Sequence, residues 1–158
     1  KNTNAFITYK KNVPLAVFTA DCLSIFLYDP ITPAIGLLHA GWRSSKESIT
    51  AKAIKLMQQQ FNTEPSNLHI GFGPAIRSCC YEVAKDFLDF FPKDVSERDG
   101  RYYLDLARVN KRQALDLGAK EMNISDPKIC TFCKNEEYFS YRKEGKSCGR
   151  LMSVIMLK

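Results

Sequence analysis

The chain has no long uncharged apolar run, which excludes a membrane-spanning helix from the expected elements. Its opening residues, "KNTNAFITYKKN", are polar and then alternate, unlike the charged and then apolar pattern of a secretory leader. No internal repeat, low-complexity tract or linker-like stretch interrupts it, so residues 1–158 are expected to form a single domain. No long basic block is present either. The net charge of +6 is dispersed over segments such as "YKKN", "VNKRQ" and "SYRKEGK", the pattern of a solvated mixed surface rather than a nucleic-acid-binding face. "GFGPAI" has two glycines and no following Gly-Lys-Ser/Thr, so it is not a phosphate-binding P-loop. Histidine is scarce: His39 and His69 are the only two.

What is present is ordinary globular material, 45% hydrophobic and 25% charged, enough for one domain with a real core. The positive balance favours anionic ligands in general without choosing among them. Six cysteines, with Cys79 and Cys80 adjacent and no leader pattern ahead of them, read as reduced thiols in a cytoplasmic setting.

Short strand-like runs dominate the first part: "AFITY", "LAVFTA", "SIFLYD" and "AIGLLHA", with "DPITP" as a tight hairpin connection. The period then changes. From Ser44 or Ser45, "SSKESITAKAIKLMQQQF" sets Ile49, Ala53, Leu56, Met57 and Phe61 at helical spacing, with a serine as cap and Glu47 in the first turn. "NLHIGFGPAI" reads as a buried strand running into a Gly-Pro turn, and "YEVAKDFLDFF" as a helix stopped by Pro92. "RDGRYYLDL" reads as a turn and strand, and "LARVNKRQALDLG" as a helix capped by Gly118. "YFSYR" and "LMSVIML" read as the last strands. Strands in apparent hairpins with interspersed helices predict an α+β fold.

Two strand ends carry chemistry. "TADC" ends in Cys22 and "LLHA" contains His39; if these strands pair, a thiol comes to lie beside an imidazole. Two readings compete: a Cys–His nucleophile pair, and a soft metal site with thiolate and imidazole as zinc ligands. Arg43, Ser44 and Ser45 follow at the expected start of a helix. There they either cradle an anion or simply cap the helix and meet solvent. "CTFC", Cys130 to Cys133, has the spacing of a redox pair or of half a structural zinc site. It precedes "KNEEYFSYR" rather than opening a helix after a strand, which disfavours the redox role. Cys79, Cys80 and Cys148 could complete the zinc site, but with no second such pair the favoured reading is buried inert thiols. His69 reads as structural.

Taken in order, "TADC", "HAGWR", "GPAIRSCCYEV", "YYLDLARVNKRQ", "CTFC", "YFSYR" and "GRLMSVIML" resemble the YfiH-like laccase-domain family. That family was formerly described as multicopper polyphenol oxidases and is now understood as zinc-dependent purine nucleoside phosphorylases with adenosine deaminase activity. The resemblance covers nearly the whole chain and implies a mixed, layered α/β/β/α sandwich. It implies zinc as the cofactor, with Cys22 and His39 as ligands and Asp21 beside the site as proton carrier or substrate-orienting group. Arg43 would face an anion such as phosphate, with Ser44 in the same loop, and Arg142 and Arg150 match the family's late arginines.

Two departures stand out. The family's remaining zinc ligand is a His in a "QVHG"-like segment upstream of "TADC". Residues 1–21 hold no match, so that N-terminal segment is expected to be missing. Ser24 stands where a Pro is usual, and Ser44 where a Gly is usual.

The resulting expectation is an enzyme whose partners are a purine nucleoside (adenosine, inosine, guanosine or methylthioadenosine) and phosphate, with no membrane or nucleic acid involved. The alternatives are a thiol hydrolase using Cys22 and His39, and a non-catalytic basic binding domain. Copper oxidation is disfavoured, because copper centres of that kind need many histidines.

Overall fold

The computed structural model describes residues 4–158. Residues 1–3, the start of the polar opening stretch, lie outside the described residues. In chain order the elements are β1 (Ala5–Thr8), β2 (Leu15–Thr19), β3 (Leu23–Asp29), β4 (Ala34–Ala40), α1 (Trp42–Lys46), α2 (Ile49–Phe61) and β5 (His69–Phe72). There follow β6 (Glu82–Val83), α3 (Phe87–Phe90), β7 (Val95–Arg98), β8 (Arg101–Leu104), α4 (Leu106–Leu115), β9 (Ile124–Ser125), α5 (Tyr141–Glu144) and β10 (Leu151–Ile155). The class is α+β, as expected.

A five-stranded sheet in the order β1-β4-β3-β5-β9 forms the centre. β3 and β4 are its spine, antiparallel from Leu23↔Ala40 to Asp29↔Ala34, and both read as near-continuous apolar runs because both faces are covered. On one face Leu23, Ile25, Leu27, Leu38 and Ala40 meet Ile54 and Met57 of α2. Complete burial of each Leu, Ile or Met side chain among these contributes about 1.5–3 kcal/mol. On the other face Ile35 and Leu37 meet Leu15 and Val17 of β2, which pairs antiparallel with β10 as a two-stranded ribbon. Helix, sheet and ribbon thus account for three of the four layers expected. The outer side of the ribbon is exposed at Phe18, Met152 and Val154. A separate three-stranded sheet, β6-β8-β7, lies beside α3 and α4.

The "DPITP" connection is the expected tight reversal. Buried Asp29 accepts from the backbone N–H groups of Ile31 and Thr32 at 2.9 and 3.2 Å. α4 and its left-handed Gly118 also match the sequence pattern.

Four local expectations are corrected. The helix predicted from Ser44 or Ser45 is two helices, because Ser48 adopts a left-handed backbone (φ 61°) and breaks it. Ser44 and Ser45 lie inside α1 rather than capping it, Glu47 ends α1 instead of opening a helix, and Leu56 faces solvent. "YEVAKDFLDFF" splits into strand β6 and the single turn α3. "YFSYR" is a loop running into α5, because Ser140 turns inward as the cap residue and Tyr141 starts a helix. Cys79 and Cys80 are not buried thiols: Cys79 is exposed and Cys80 half-buried.

Candidate active site and a four-cysteine cluster

The strand that runs into "TADC" does not pair with the strand of His39 as expected: β2 pairs with β10, and the β3–β4 register instead fixes the relation between Cys22 and His39. Ser24 is paired with His39 and Leu23 with Ala40, so Cys22, one residue before β3, stands opposite Gly41. Alternation then puts Cys22, Ser24 and His39 on the same face of the sheet end, the face turned toward the ribbon. Ser153 of β10 reaches Ser24 there, hydroxyl to hydroxyl, at 2.9 Å. Gly41 packs closely on this end: a Cβ on it would stand 3.1 Å from the sulfur of Cys22, a tight contact.

Burial pushes the Cys22 thiol up to about 11, helped by the Asp21 charge and opposed by Arg150. Burial also lowers the pKa of His39. The pair therefore rests as neutral thiol and neutral imidazole at pH 7. That is the reverse of the thiolate–imidazolium pair a cysteine hydrolase relies on.

Asp21 is buried with a left-handed backbone (φ 75°), and its carboxylate is a hub. Oδ1 accepts from the hydroxyls of Thr131 and Ser140, each at 2.7 Å, and Oδ2 from the backbone N–H of Arg142 at 2.6 Å. Two distant segments, the loop at Thr131 and the start of α5 at Ser140 and Arg142, are thereby pinned to the residue next to Cys22. Sequence reasoning singled out Asp21 but missed Thr131 and Ser140, whose only signal is position: each lies inside a motif, "CTFC" and "YFSYR".

A cleft opens beside Cys22, lined by Asp21, Ile76, Tyr81, Tyr141 and Arg142. Tyr81 and Arg142 continue into a second hollow with Trp42 and Phe87, whose rings lie 5.0 Å apart. Burial and the neighbouring Cys22 push the Tyr81 phenol up to about 12, with Arg142 opposing, so it stays a hydrogen-bond donor. The Arg142 guanidinium sits 5.3 Å from the Tyr81 ring and donates to the Glu82 carbonyl at 2.9 Å. Exposed Arg43 lies 4.3 Å from the centre of the Trp42 ring. Arg150 is held by the carbonyls of Cys148 and Gly149 and lies 5.9 Å from the Tyr141 ring. Ser44 is engaged in its own turn: its hydroxyl oxygen accepts from the Gly41 N–H at 3.1 Å and lies 3.1 Å from the His39 carbonyl, to which it can donate.

Cys22 and His39 are donors of the types zinc takes, set on the same face of the sheet end. By donor chemistry they suit two positions of such a site. Among the described residues no third His, Cys, Asp or Glu gathers with them, and His69 is exposed on β5.

The second chemical cluster is four sulfurs. Cys79, Cys80, Cys130 and Cys133 bring their Sγ atoms within 4.8 Å of one another, close enough for all four to bind one metal ion. Cys148 stands apart, its thiol facing Glu144. Cys79 and Cys80 are among the partners the sequence offers "CTFC", but the want of a second spaced pair favours inert thiols there; the partners come from an adjacent pair instead.

A layered α+β domain with a thiol and an imidazole at one sheet end is the class that the fold and site define. Residues 1–158 match the family described as multi-copper polyphenol oxidoreductase laccase, and the chain belongs to that family. It is 36% identical, over 98% of its length, to a purine nucleoside phosphorylase of Clostridium acetobutylicum, of which it covers 67%. It is 31% identical to the purine nucleoside phosphorylase YlmD of Bacillus subtilis, covering 60% of that protein. Among solved structures it is similar to the hypothetical protein YfiH of Bacillus licheniformis, with a TM-score of 0.93 at 30% identity, covering 99% of this chain and 62% of that one. YlmD of Geobacillus stearothermophilus gives a TM-score of 0.93 at 31% identity, again covering 99% and 62%. The chain therefore spans roughly three fifths to two thirds of the length of these relatives.

Proposed function

We propose that this chain carries the catalytic core of a zinc-dependent purine nucleoside phosphorylase. With phosphate it cleaves the N-glycosidic bond of adenosine, inosine, guanosine or methylthioadenosine to base and ribose 1-phosphate, and with water it deaminates adenosine. The observation that carries this reading is one cleft joining Cys22 to an aromatic wall and a guanidinium, Tyr81, Tyr141 and Arg142. A purine presents a flat π-face suited to the aromatic wall, and phosphate an anion suited to the arginines. Relatives named purine nucleoside phosphorylase agree with it.

Each residue has a role in this reading. Cys22 and His39 would hold the zinc, which when bound supplies a Lewis acid or an activated water. Tyr81, kept protonated, donates to a polar atom of the substrate. Arg43, Arg142 and Arg150 attract phosphate and offset the charge that develops as the bond to the base breaks. Asp21, whose oxygens are already occupied by three donors, positions Arg142 and the loops of the cleft rather than carrying a proton. Ser44 shapes the turn after His39. Six free cysteines suit a reducing cytoplasmic compartment. The nucleic-acid reading loses ground because Arg77, Arg108 and Lys111 are paired with Asp126, Asp94 and Glu121.

The test is Cys22→Ala assayed for adenosine-plus-phosphate turnover, with release of ribose 1-phosphate and of inosine followed separately. Loss of both activities in a folded variant supports the assignment. Full activity without the thiol overturns it.

A further inference from the structure

We propose that Cys79, Cys80, Cys130 and Cys133 form a second metal centre, a closed four-thiolate zinc site with a structural role. It is separate from the Cys22–His39 end of the sheet and does not depend on which reaction is catalysed.

The geometry comes first. Tetrahedral zinc with sulfur ligands at about 2.3 Å has sulfur–sulfur edges of about 3.8 Å. Here Cys79 and Cys133 are 3.8 Å apart, and Cys80 and Cys133 are 3.3 Å apart. All four atoms fall within 4.8 Å, and none of the four residues is in a disulfide. Small local shifts bring such a set onto one ion.

The backbone holds the two segments together independently of the sulfurs. Ala75 and Cys130 form a parallel bridge, with Ala75 N–H donating to Ile129 and Thr131 N–H to Ala75. On one side the N–H groups of Cys80 and Tyr81 both donate to the Arg77 carbonyl, closing a tight turn. On the other the Lys134 N–H donates to the Cys130 carbonyl, curling "CTFC" so that both of its thiols face the same way. The salt bridge of Arg77 to Asp126 at 2.7 Å adds a strut beside the cluster.

A divalent cation at the centre of the four sulfurs would be shared by all of them and would favour their thiolate forms. Binding is balanced as Zn²⁺ plus four thiols giving a tetrathiolate of net charge −2 and four protons. Arg77, Arg108, Lys111 and Lys128 line the hollow that adjoins Cys79, together with Asp105 and Asp126. Soft thiolate donors in a tetrahedral set favour zinc among common ions, and a site with no open position is structural rather than catalytic.

The sequence neighbours say what such a centre would hold. Cys80 precedes Tyr81, which lines the Cys22 cleft. Cys130 precedes Thr131, whose hydroxyl donates to Asp21. A clamp on these four cysteines fixes both loops of the cleft wall from behind.

The test uses the chain purified with a reductant, its zinc measured by elemental analysis, and cobalt exchanged for zinc. His39→Ala removes the other candidate site; Cys130→Ser with Cys133→Ser removes this one. The expected result is one equivalent of zinc retained in His39→Ala and lost when Cys130→Ser and Cys133→Ser are added to His39→Ala. The cobalt form of His39→Ala should show tetrahedral d–d bands with intense sulfur-to-cobalt charge transfer. If the combined variant does not fold, the cobalt spectrum of His39→Ala decides alone. Four thiols freely titratable in the folded chain, bound iron in place of zinc, a Cys80–Cys133 disulfide that persists with reductant, or zinc that follows His39 would each overturn the proposal.

Discussion

The hydroxyl of Thr131 donates to Oδ1 of Asp21 at 2.7 Å, joining the loop after Cys130 to the residue before Cys22. Ser140 shares that oxygen, and the Arg142 backbone takes the other, so one buried carboxylate ties the Thr131 loop and the start of α5 to the edge of the cleft. Asp21→Asn keeps the volume, and asparagine tolerates the left-handed backbone found there. It removes the charge, however, and turns an N–H donor toward one of the three existing donors. Hydrogen bonds to a charged group contribute about 1.5–3 kcal/mol each, so the expected loss is about 2–4 kcal/mol in urea unfolding. Ser140→Ala, which leaves two donors in place, should cost about 1 kcal/mol. An Asn variant as stable as the parent would show that the hub is not needed.

The hairpin between β3 and β4 makes a pH prediction. The pKa of Asp29 is below its ordinary value: burial would raise it, but the Thr32 hydroxyl and the N–H groups of Ile31 and Thr32 outweigh that. A depressed folded pKa means that the ionised form is favoured by folding. The resulting stability is full above the unfolded carboxylate range and is lost as pH falls through the folded value. Asp29→Asn should therefore be less stable at neutral pH, with a shallower fall on acidification than the parent. Thermal midpoints between pH 7 and pH 3 measure this, and parallel curves would remove Asp29 from the account.

The spine of the fold was legible because its signals are local. Apolar strands punctuated by Asp29, Pro30 and Pro33, and the helical spacing of Ile49, Ala53 and Met57, are written in adjacent residues. Cys22 and His39 share a face through the β3–β4 hairpin, whose register two apolar runs and a short turn nearly determine, and not through the pairing of the "TADC" strand itself, which goes to β10. What was not legible depends on long-range contacts. Ser48 in the left-handed region breaks a continuous helical pattern, and no periodicity reports a backbone angle. "YFSYR" reads as a strand by composition, but Ser140 is drawn inward by Asp21, 119 residues away, and the chain turns into α5. The four cysteines meet only because Ala75 bridges Cys130, a pairing with no counterpart in spacing rules.

Arg43 supplies the last prediction. It is exposed, and its guanidinium lies over the Trp42 ring at 4.3 Å, which limits its freedom. α1 is only five residues long and Ser44 is occupied by its own turn, so the loop backbone offers an anion little. Any contribution of this segment to phosphate must therefore come from the Arg43 side chain. A charge-assisted contact of about 1.5–3 kcal/mol corresponds to about a 10- to 150-fold rise in the KM for phosphate when it is removed. Arg43→Ala should show that rise, while the KM for adenosine stays within about twofold, as a contact made only to the anion requires. Arg142→Ala is the comparison, because Arg142 stacks near Tyr81 and lines the cleft itself, so both constants should rise together. An unchanged phosphate dependence in Arg43→Ala would assign the anion to Arg142 and Arg150, and leave Arg43 as packing for Trp42.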